Sequence, residues 1–263
     1  MIYEIEFKLQ RKPMFSNFSL EPGEIVLCET DEGVWRGRVV EEKKGLSPDG
    51  KVLRPIYPGE ERKIKDLEKM EEDAFQVCLE RIKFRELPMK LVEVEREWEG
   101  RKIKFYYLAD GRIDFRQLVR DLARVYRTRI EMRQISVREY ARFLGGFGVC
   151  GRPVCCSVFM KKRISVTIQM AREQNLFHDP RKLSGICGRL MCCLKYELDF
   201  YREEKSKYPE LESMVETPKG PAKVIHFNML RKIVKVEYED GTVENLPLNM
   251  VRRKKIWWLL PRK

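Results

Sequence analysis

Apolar and polar residues alternate along the first 59 residues, with turn-forming residues between the alternating runs. Two such runs in "EIVLCETDEGVWRGRVVEEKK", residues 24–44, flank Asp31-Glu32-Gly33. This arrangement is typical of a β-hairpin. A loop rich in proline, aspartate and glycine follows it. We therefore expect residues 1–59 to form a small β module.

The apolar periodicity of residues 61–86 is three to four, which predicts an amphipathic helix that ends before Pro88. The segments "PMKLVEVERE" and "RKIKFYYLAD" alternate around Glu99-Gly100 and predict an antiparallel strand pair. The segment "DFRQLVRDLARVY" predicts a second helix, and "RIEMRQI" predicts a third strand. The order α-β-β-α-β is typical of helices packed on one face of a mixed sheet.

Two helix starts have the spacing of a capping box. Asp114 precedes Gln117 at the start of the second helix, and Ser136 precedes Glu139 at the start of a third helix, "VREYARFL". Gly145-Gly146 is expected to end this third helix. In the second helix, four apolar residues are expected to face the core: Phe115, Leu118, Leu122 and Val125.

The last hundred residues change from helical to β patterning. "SVTIQMAREQNLFHDPRKLSG" predicts a helix from about Ser165 to Asn175, and "LMCCLKYELDFYREEKSKYP" predicts one further helix. From residue 212 onward we expect three or four strands with a hairpin turn at Asp240-Gly241. They predict an SH3-like barrel that the N-terminal β module could complete, with Trp257-Trp258 beside a basic run as a contact surface.

These elements together predict an α+β fold, with a central α-β-β-α-β sandwich flanked by small SH3-like β modules and a cysteine-rich helical segment. The expected domains are residues 1–59, 60–147, 148–211 and 212–263, the last of which includes a basic tail. The first 15 residues mix apolar and charged side chains, unlike a signal peptide, and no apolar run is long enough to span a bilayer. We expect a cytoplasmic protein that does not insert into membranes.

The net charge of +12 is concentrated in residues 100–163, which hold 16 Lys and Arg against 5 Asp and Glu. Such an excess attracts nucleic acid, acidic proteins or an anionic cluster, although an ordinary solvated surface explains it equally well. In the second predicted helix, Arg116, Arg120 and Arg124 recur every four residues, which places them in one exposed row. This row is a candidate contact for RNA or for a partner protein.

Six of the eight cysteines lie in two copies of one motif, Gly-x-Cys-Gly-Arg-x-x-Cys-Cys. We call residues 148–156 the first cysteine motif and residues 185–193 the second cysteine motif. Their candidate metal ligands are Cys150, Cys155, Cys156, Cys187, Cys192 and Cys193. Cysteines at close spacing in a reducing compartment indicate metal or redox chemistry more often than disulfides.

A tetrathiolate site needs four sulfurs, which the two motifs can supply together with two to spare. The C-x4-C spacing favours an iron-sulfur cluster, and zinc remains the alternative metal. The two surplus thiols could pack in the protein interior, contact the metal-binding cysteines without binding the metal, or bind a cluster that is shared with a partner chain. Arg152 and Arg189 could offset the negative charge of a cluster or contact a partner, whereas Cys28 and Cys78 are expected in the core.

A thiol oxidoreductase is the enzymatic alternative, and the sequence argues against it. There is no C-x-x-C in a thioredoxin-like pattern, no evident general base beside the thiols and no glycine-rich phosphate loop. A zinc-stabilised module that binds RNA or protein is the second alternative. We expect a protein that is not an enzyme.

The segments "LPMKLVEVE", "FYYLADGRIDFRQLVRDLARVYRTRIEMRQISVREYARFLGGFGVCGRPVCC" and "MAREQNLFHDPRKLSGICGRLMCCLKYE" closely resemble the bacterial YaaT/RicT family, which carries the polymerase-suppressor-protein C-terminal domain. The resemblance extends from about residue 60 to 255. It implies a non-catalytic regulatory subunit that works with RicA-like and RicF-like proteins. It also implies 4Fe-4S clusters, an influence on sporulation and other cell-fate decisions, and adjustment of messenger RNA cleavage by RNase Y. The implied cluster ligands are drawn from the six cysteines of the two motifs.

Overall fold

The computed structural model describes residues 1–160, 164–176 and 179–253. The tryptophan pair at 257 and 258 and most of the basic tail lie outside the described residues. The chain divides into two compact units, residues 1–157 and 158–263. The division into four domains stays a prediction. The structure contains helices and several sheets, which confirms the predicted α+β class.

Residues 1–55 form a closed five-stranded barrel in the order β1-β2-β5-β3-β4. Its strands are β1 (Ile2–Glu6), β2 (Arg11–Phe15), β3 (Ile25–Thr30), β4 (Gly33–Lys43) and β5 (Lys51–Pro55). The predicted hairpin at Asp31-Glu32 joins β3 to β4 and is confirmed. The alternating apolar residues fill the barrel, with Ile5, Met14, Val26 and Cys28 fully buried.

The central part of the first unit has the predicted order of helices and strands. Its elements are α1 (Glu61–Phe84), β6 (Lys90–Arg96), β7 (Lys102–Leu108), α2 (Arg116–Tyr126) and β8 (Arg129–Gln134). Strand β7 pairs antiparallel with β6 and parallel with β8, so the sheet is mixed as predicted. Both helices pack on one face of it, over a core that includes Ala74, Cys78, Phe105, Leu118 and Leu122.

Two details predicted for α2 are wrong. Phe115 rather than Asp114 is the N-cap, because the first helical hydrogen bond runs from the Val119 N–H to the Phe115 carbonyl; the Asp114 carboxylate still accepts from the Arg116 backbone N–H and binds its guanidinium group. Val125 is 51% exposed rather than buried. It lies in the last turn, just before Arg127 ends the helix in the left-handed conformation with φ +50°.

A buried polar cluster lies between the barrel and the other face of the central sheet. Lys104 on β7 is 1% exposed, and its ammonium group contacts the Glu32 carboxylate and lies 3.9 Å from the Trp35 ring centroid. The Tyr106 hydroxyl donates a 2.7 Å hydrogen bond to Glu95. Since side chains alternate along a strand, β7 packs Ile103 and Phe105 under the helices and Lys104 and Tyr106 under the barrel.

The second unit combines short helices with a five-stranded sheet. Its helices are α5 (Ile168–Glu173), α6 (Cys192–Tyr196) and α7 (Leu198–Ser206). Its strands are β9 (Met214–Thr217), β10 (Gly220–Asn228), β11 (Ile233–Glu237), β12 (Val243–Pro247) and β13 (Arg252–Arg253), in the order β12-β11-β10-β9-β13. Helix α4 (Cys155–Val158) spans the boundary between the units. In the part of the chain that the structure describes, no helix is long and apolar enough to cross a membrane.

Three predictions for this unit need correction. The first helix begins at Ile168 rather than Ser165, because Thr167 is extended and residues 165–167 belong to no helix. The helix predicted after residue 190 is divided at Glu197, which ends α6 and precedes α7. The C-terminal strands form a sheet of their own, since the N-terminal strands already close a barrel. The predicted turn at Asp240-Gly241 is confirmed, with Gly241 at φ +80°.

Candidate metal site

The first cysteine motif folds as a tight turn followed by a short helix. The Gly148 N–H donates to the Arg152 carbonyl (2.8 Å), and the Gly151 N–H donates to the Gly148 carbonyl (3.0 Å). A β-bridge between Phe147 and Pro153 closes the base of the turn. Cys150 therefore lies near the tip of the turn, and Cys155 is the first residue of α4.

The second cysteine motif repeats this geometry 37 residues later. The Gly185 N–H donates to the Arg189 carbonyl, and the Gly188 N–H donates to the Gly185 carbonyl, both at 2.9 Å. A β-bridge between Ser184 and Leu190 closes this turn. Cys187 lies near the tip, as Cys150 does, and Cys192 is the first residue of α6. The repetition read from the sequence is therefore also a repetition of backbone structure.

Both turns depend on a glycine after the tip cysteine. Gly151 has φ +74° and Gly188 has φ +70°, a region that L-amino acids with a Cβ adopt only at a cost. With glycine there, the chain reverses within four residues, and the backbone hydrogen bonds of the turn can form. The shared Cys-Gly dipeptide thus has a conformational reason in addition to any chemical one.

Different neighbours support the two motifs. Before the first, α3 (Val137–Leu144) begins with the predicted capping box of Ser136 and Glu139 and ends at Gly145, so both predictions are confirmed. The second motif packs on a small apolar core of Ala171, Leu183 and Leu194. The Gln174 side-chain amide also donates a buried 2.5 Å hydrogen bond to the Leu194 carbonyl. The pattern of residues along the chain does not indicate this role of Gln174.

The thiols differ in exposure. Cys150 is exposed, Cys156 is buried, and the other four cysteines of the motifs are half-buried. Adjacent residues in a helix point about 100° apart, so Cys155 and Cys156 face different surroundings. Cys28 and Cys78 are fully buried in two separate cores, as predicted, and desolvation raises the pKa of each thiol to about 12.

Each motif offers soft sulfur donors, one on a turn and others at a helix start, and this donor set fits an iron-sulfur cluster or zinc. Over residues 1–160, 164–176 and 179–253, no group of three or more His, Cys, Asp or Glu side chains is placed to hold a metal ion. The first motif belongs to the first compact unit and the second motif to the second. Ligation by the six cysteines therefore stays a prediction. His178, a further candidate, lies outside the described residues.

The candidate arginines are exposed. Arg116 binds Asp114 at 2.7 Å, whereas Arg120 and Arg124 extend from the solvent side of α2. Arg152 and Arg189 occupy equivalent places just after the turn glycines, and their carbonyl groups accept the hydrogen bonds that form the turns. Both arginines are exposed.

Comparisons with known proteins match most of the chain. The family described as PSP1 C-terminal conserved region matches residues 50–135, and PSP1-like protein, third domain, matches residues 165–208. Stage 0 sporulation protein YaaT of Bacillus subtilis (strain 168) is 43% identical over 228 residues, which is 84% of this chain and 83% of that protein. An uncharacterized protein of Schizosaccharomyces pombe is 30% identical over 173 residues, which is 51% of this chain and 23% of that protein. No solved structure matches the chain.

Proposed function

The chain belongs to the family of the YaaT protein, with its PSP1 C-terminal conserved region, and we propose that it is a non-catalytic regulatory subunit whose cysteine motifs hold an iron-sulfur cluster. The membership confirms the resemblance seen in the sequence. The name of the Bacillus subtilis relative is that of a sporulation protein, and a role in regulating such a developmental process is the part of the proposal that this relative supports.

The observation that carries the cluster proposal is the identical turn-and-helix fold of the two motifs. Packing alone does not require two copies of a turn that each present an accessible thiol near the tip. Four thiols occupy repeated positions that are exposed or half-buried in both motifs, whereas the third position is buried at Cys156, and these four are the preferred ligands: Cys150, Cys155, Cys187 and Cys192. A cluster bound there would supply redox-sensitive and oxygen-sensitive chemistry, while Arg152 and Arg189 would offset its negative charge.

A ring contact in the second unit joins two residues that follow the cysteine motifs at the same spacing. Phe159 follows Cys156 by three residues, and Tyr196 follows Cys193 by three residues. Their rings pack edge to face with centroids 4.9 Å apart. The contact therefore joins equivalent positions in the segments that follow the two copies of the motif.

The proposed partners follow from the family. We expect RicA-like and RicF-like proteins to form a complex with this chain, and we expect the complex to adjust messenger RNA cleavage by RNase Y. Cys156 and Cys193 then have two possible uses, in packing or in a second cluster to which a partner contributes ligands. Zinc in place of the cluster is the alternative that the donor set also fits.

Metal analysis after anaerobic purification tests this proposal. We expect iron and acid-labile sulfide in equal amounts, and we expect the combined Cys150→Ser and Cys187→Ser substitutions to lower both at least severalfold. Cys78→Ala is the matched control, because Cys78 lies in an apolar core of the first unit and should leave the iron content unchanged. Stoichiometric zinc without sulfide would contradict the cluster and favour the zinc alternative.

A further inference from the structure

The solvent face of α2 carries a row of arginines opposite its buried side. Leu118 and Leu122 are fully buried and fix the direction of the core. At about 100° per residue, Arg116, Arg120 and Arg124 fall on the opposite side of the helix, and Arg127 follows as its left-handed C-cap. We call this set the arginine row: Arg116, Arg120, Arg124 and Arg127, all exposed.

Most acidic side chains in the basic segment, residues 100–163, already have a polar partner within the protein. Four of the five Asp and Glu residues in 100–163 have a partner: Asp114 with Arg116 (2.7 Å), Asp121 with Arg85 of α1 (2.5 Å), Glu131 with Lys102 (3.6 Å), and Glu139 in the cap of α3. Across the described part of the chain, no salt bridge reaches Arg120, Arg124 or Arg127. These three guanidinium groups therefore have no salt-bridge partner in the described part of the chain, and Asp114, which already binds Arg116, is the acidic residue whose charge acts on Arg120.

We propose that the arginine row binds the phosphodiester backbone of a nucleic-acid strand. A step of four residues along a helix advances about 6 Å, so Arg116, Arg120 and Arg124 lie at even intervals, which suits a polymer with one charge per nucleotide. Guanidinium groups match phosphate oxygens, and release of counterions gives affinity without apolar contacts.

An acidic peptide fits this surface less well. Stable peptide and protein interfaces usually need a desolvated apolar or aromatic anchor at their centre. The large exposed apolar residue on α2 is Val125, which faces away from the row. The row therefore offers charge without an anchor, and this favours a nucleic-acid backbone. The proposal does not rest on metal binding by the cysteine motifs.

Fluorescence anisotropy of the full chain tests the proposal. The probes are a labelled single-stranded RNA oligonucleotide, the DNA oligonucleotide of the same sequence, and poly-glutamate, each at a series of salt concentrations. The variant is Arg120→Gln, Arg124→Gln and Arg127→Gln combined. We expect it to bind RNA roughly tenfold or more weakly, with the slope of log affinity against log salt reduced by about 2. Tighter binding of RNA than of DNA would identify RNA as the natural source of the backbone.

The matched control removes the same charge from another exposed helix of the same unit. Arg62→Gln, Lys65→Gln and Lys69→Gln on α1 have similar spacing and exposure. We expect this control to keep most of the affinity, and the corresponding Arg→Lys triple variant of the row to keep the salt slope. Equal losses in both Gln variants, no loss in the row variant, tighter binding of poly-glutamate than of RNA, or no binding of RNA at low salt would each overturn the proposal. Circular dichroism confirms that the variants compared are folded.

Discussion

Glu95 is a carboxylic acid buried between the barrel and the central sheet, with 2% of its surface exposed. Desolvation raises its pKa above the ordinary glutamate value of 4.5, although the hydrogen bond from Tyr106 and the nearby Lys104 charge act in the opposite direction. The folded state therefore holds the Glu95 proton more tightly than the unfolded state does. Ionisation of this group opposes folding.

The first prediction is that Glu95→Gln removes this penalty. As pH rises above 4.5 towards the raised pKa, the wild-type protein loses the stability associated with the protonated carboxyl group. Glutamine still accepts the Tyr106 hydrogen bond without a charge. We expect Glu95→Gln to be more stable than the wild type at pH 8, by on the order of 1 kcal/mol, and the difference to shrink below pH 4.5. Urea unfolding at a series of pH values measures it.

Glu80→Gln is the control for this prediction. It is the same substitution, but the Glu80 side chain is exposed to water on α1. We expect its free energy of unfolding to differ from the wild type by the same small amount at every pH. A Glu95→Gln variant that is less stable than the wild type at pH 8 would show that the ionised carboxylate is instead satisfied by its neighbours.

At the scale of elements, the two cysteine turns provide the second prediction. Gly151→Ala and Gly188→Ala each place a Cβ on a residue with positive φ, at a cost of about 1–2 kcal/mol to the turn concerned. We expect hydrogen exchange of the Gly148 or Gly185 amide, respectively, to become roughly five- to thirtyfold faster, because these amides form the turn hydrogen bonds. Each substitution should affect its own turn.

Gly111→Ala is the matched control for the turn glycines. A Cβ on Gly111 would meet no atom within 4 Å, and its φ lies outside the positive region. We expect the exchange rates of both turns to stay at the wild-type values in this variant. Unchanged exchange in Gly151→Ala would mean that the first turn does not need the positive φ.

Elements with a continuous apolar face were predictable from the sequence. Helix α1, the hairpin of β6 and β7, and strand β8 all follow their periodicity, because burial of one face determines each of them. Local competition explains the errors. Helix α2 begins one residue later than predicted, with Phe115 as its N-cap, and Val125 lies in a last turn that no longer covers the core. The burial of Lys104 was not predictable, because it depends on Glu32 and Trp35 from a distant hairpin.

The candidate site was predictable in part. The cysteine positions and their repetition are visible in the sequence, and the Cys-Gly dipeptide indicates a turn. The two turns form the same pair of backbone hydrogen bonds. This match could not be predicted from the residue types alone, because it depends on the backbone conformation. The support of the second motif by Gln174 involves a buried contact between a side chain and a distant carbonyl, for which periodicity has no signal.

At the scale of the whole molecule, the two compact units have cores made of their own residues. We therefore predict two separable thermal transitions by calorimetry. Leu122→Ala should destabilise the first unit by about 2–5 kcal/mol, since Leu122 is fully buried there. Phe227→Ala should destabilise the second unit by about 3–5 kcal/mol, since Phe227 packs against Tyr208 in its core.

Each of these substitutions serves as the control for the other. We expect Leu122→Ala to lower the midpoint of one transition and Phe227→Ala to lower the midpoint of the other. A single transition that both substitutions shift equally would show that the units unfold as one cooperative body.

The burial of Cys28 and Cys78 has a practical consequence for chemical labelling. Both thiols lie inside the first unit and have a pKa of about 12, so at neutral pH they stay protonated and shielded from alkylating reagents. Mass spectrometry of the folded, metal-free protein should then find at most six labels, and the unfolded chain should take eight. Labels on Cys28 and Cys78 appear only when the protein unfolds, so their absence shows that the protein in the sample is folded. The number of labels on the six motif cysteines in the same spectrum then reports how many of those thiols are occupied.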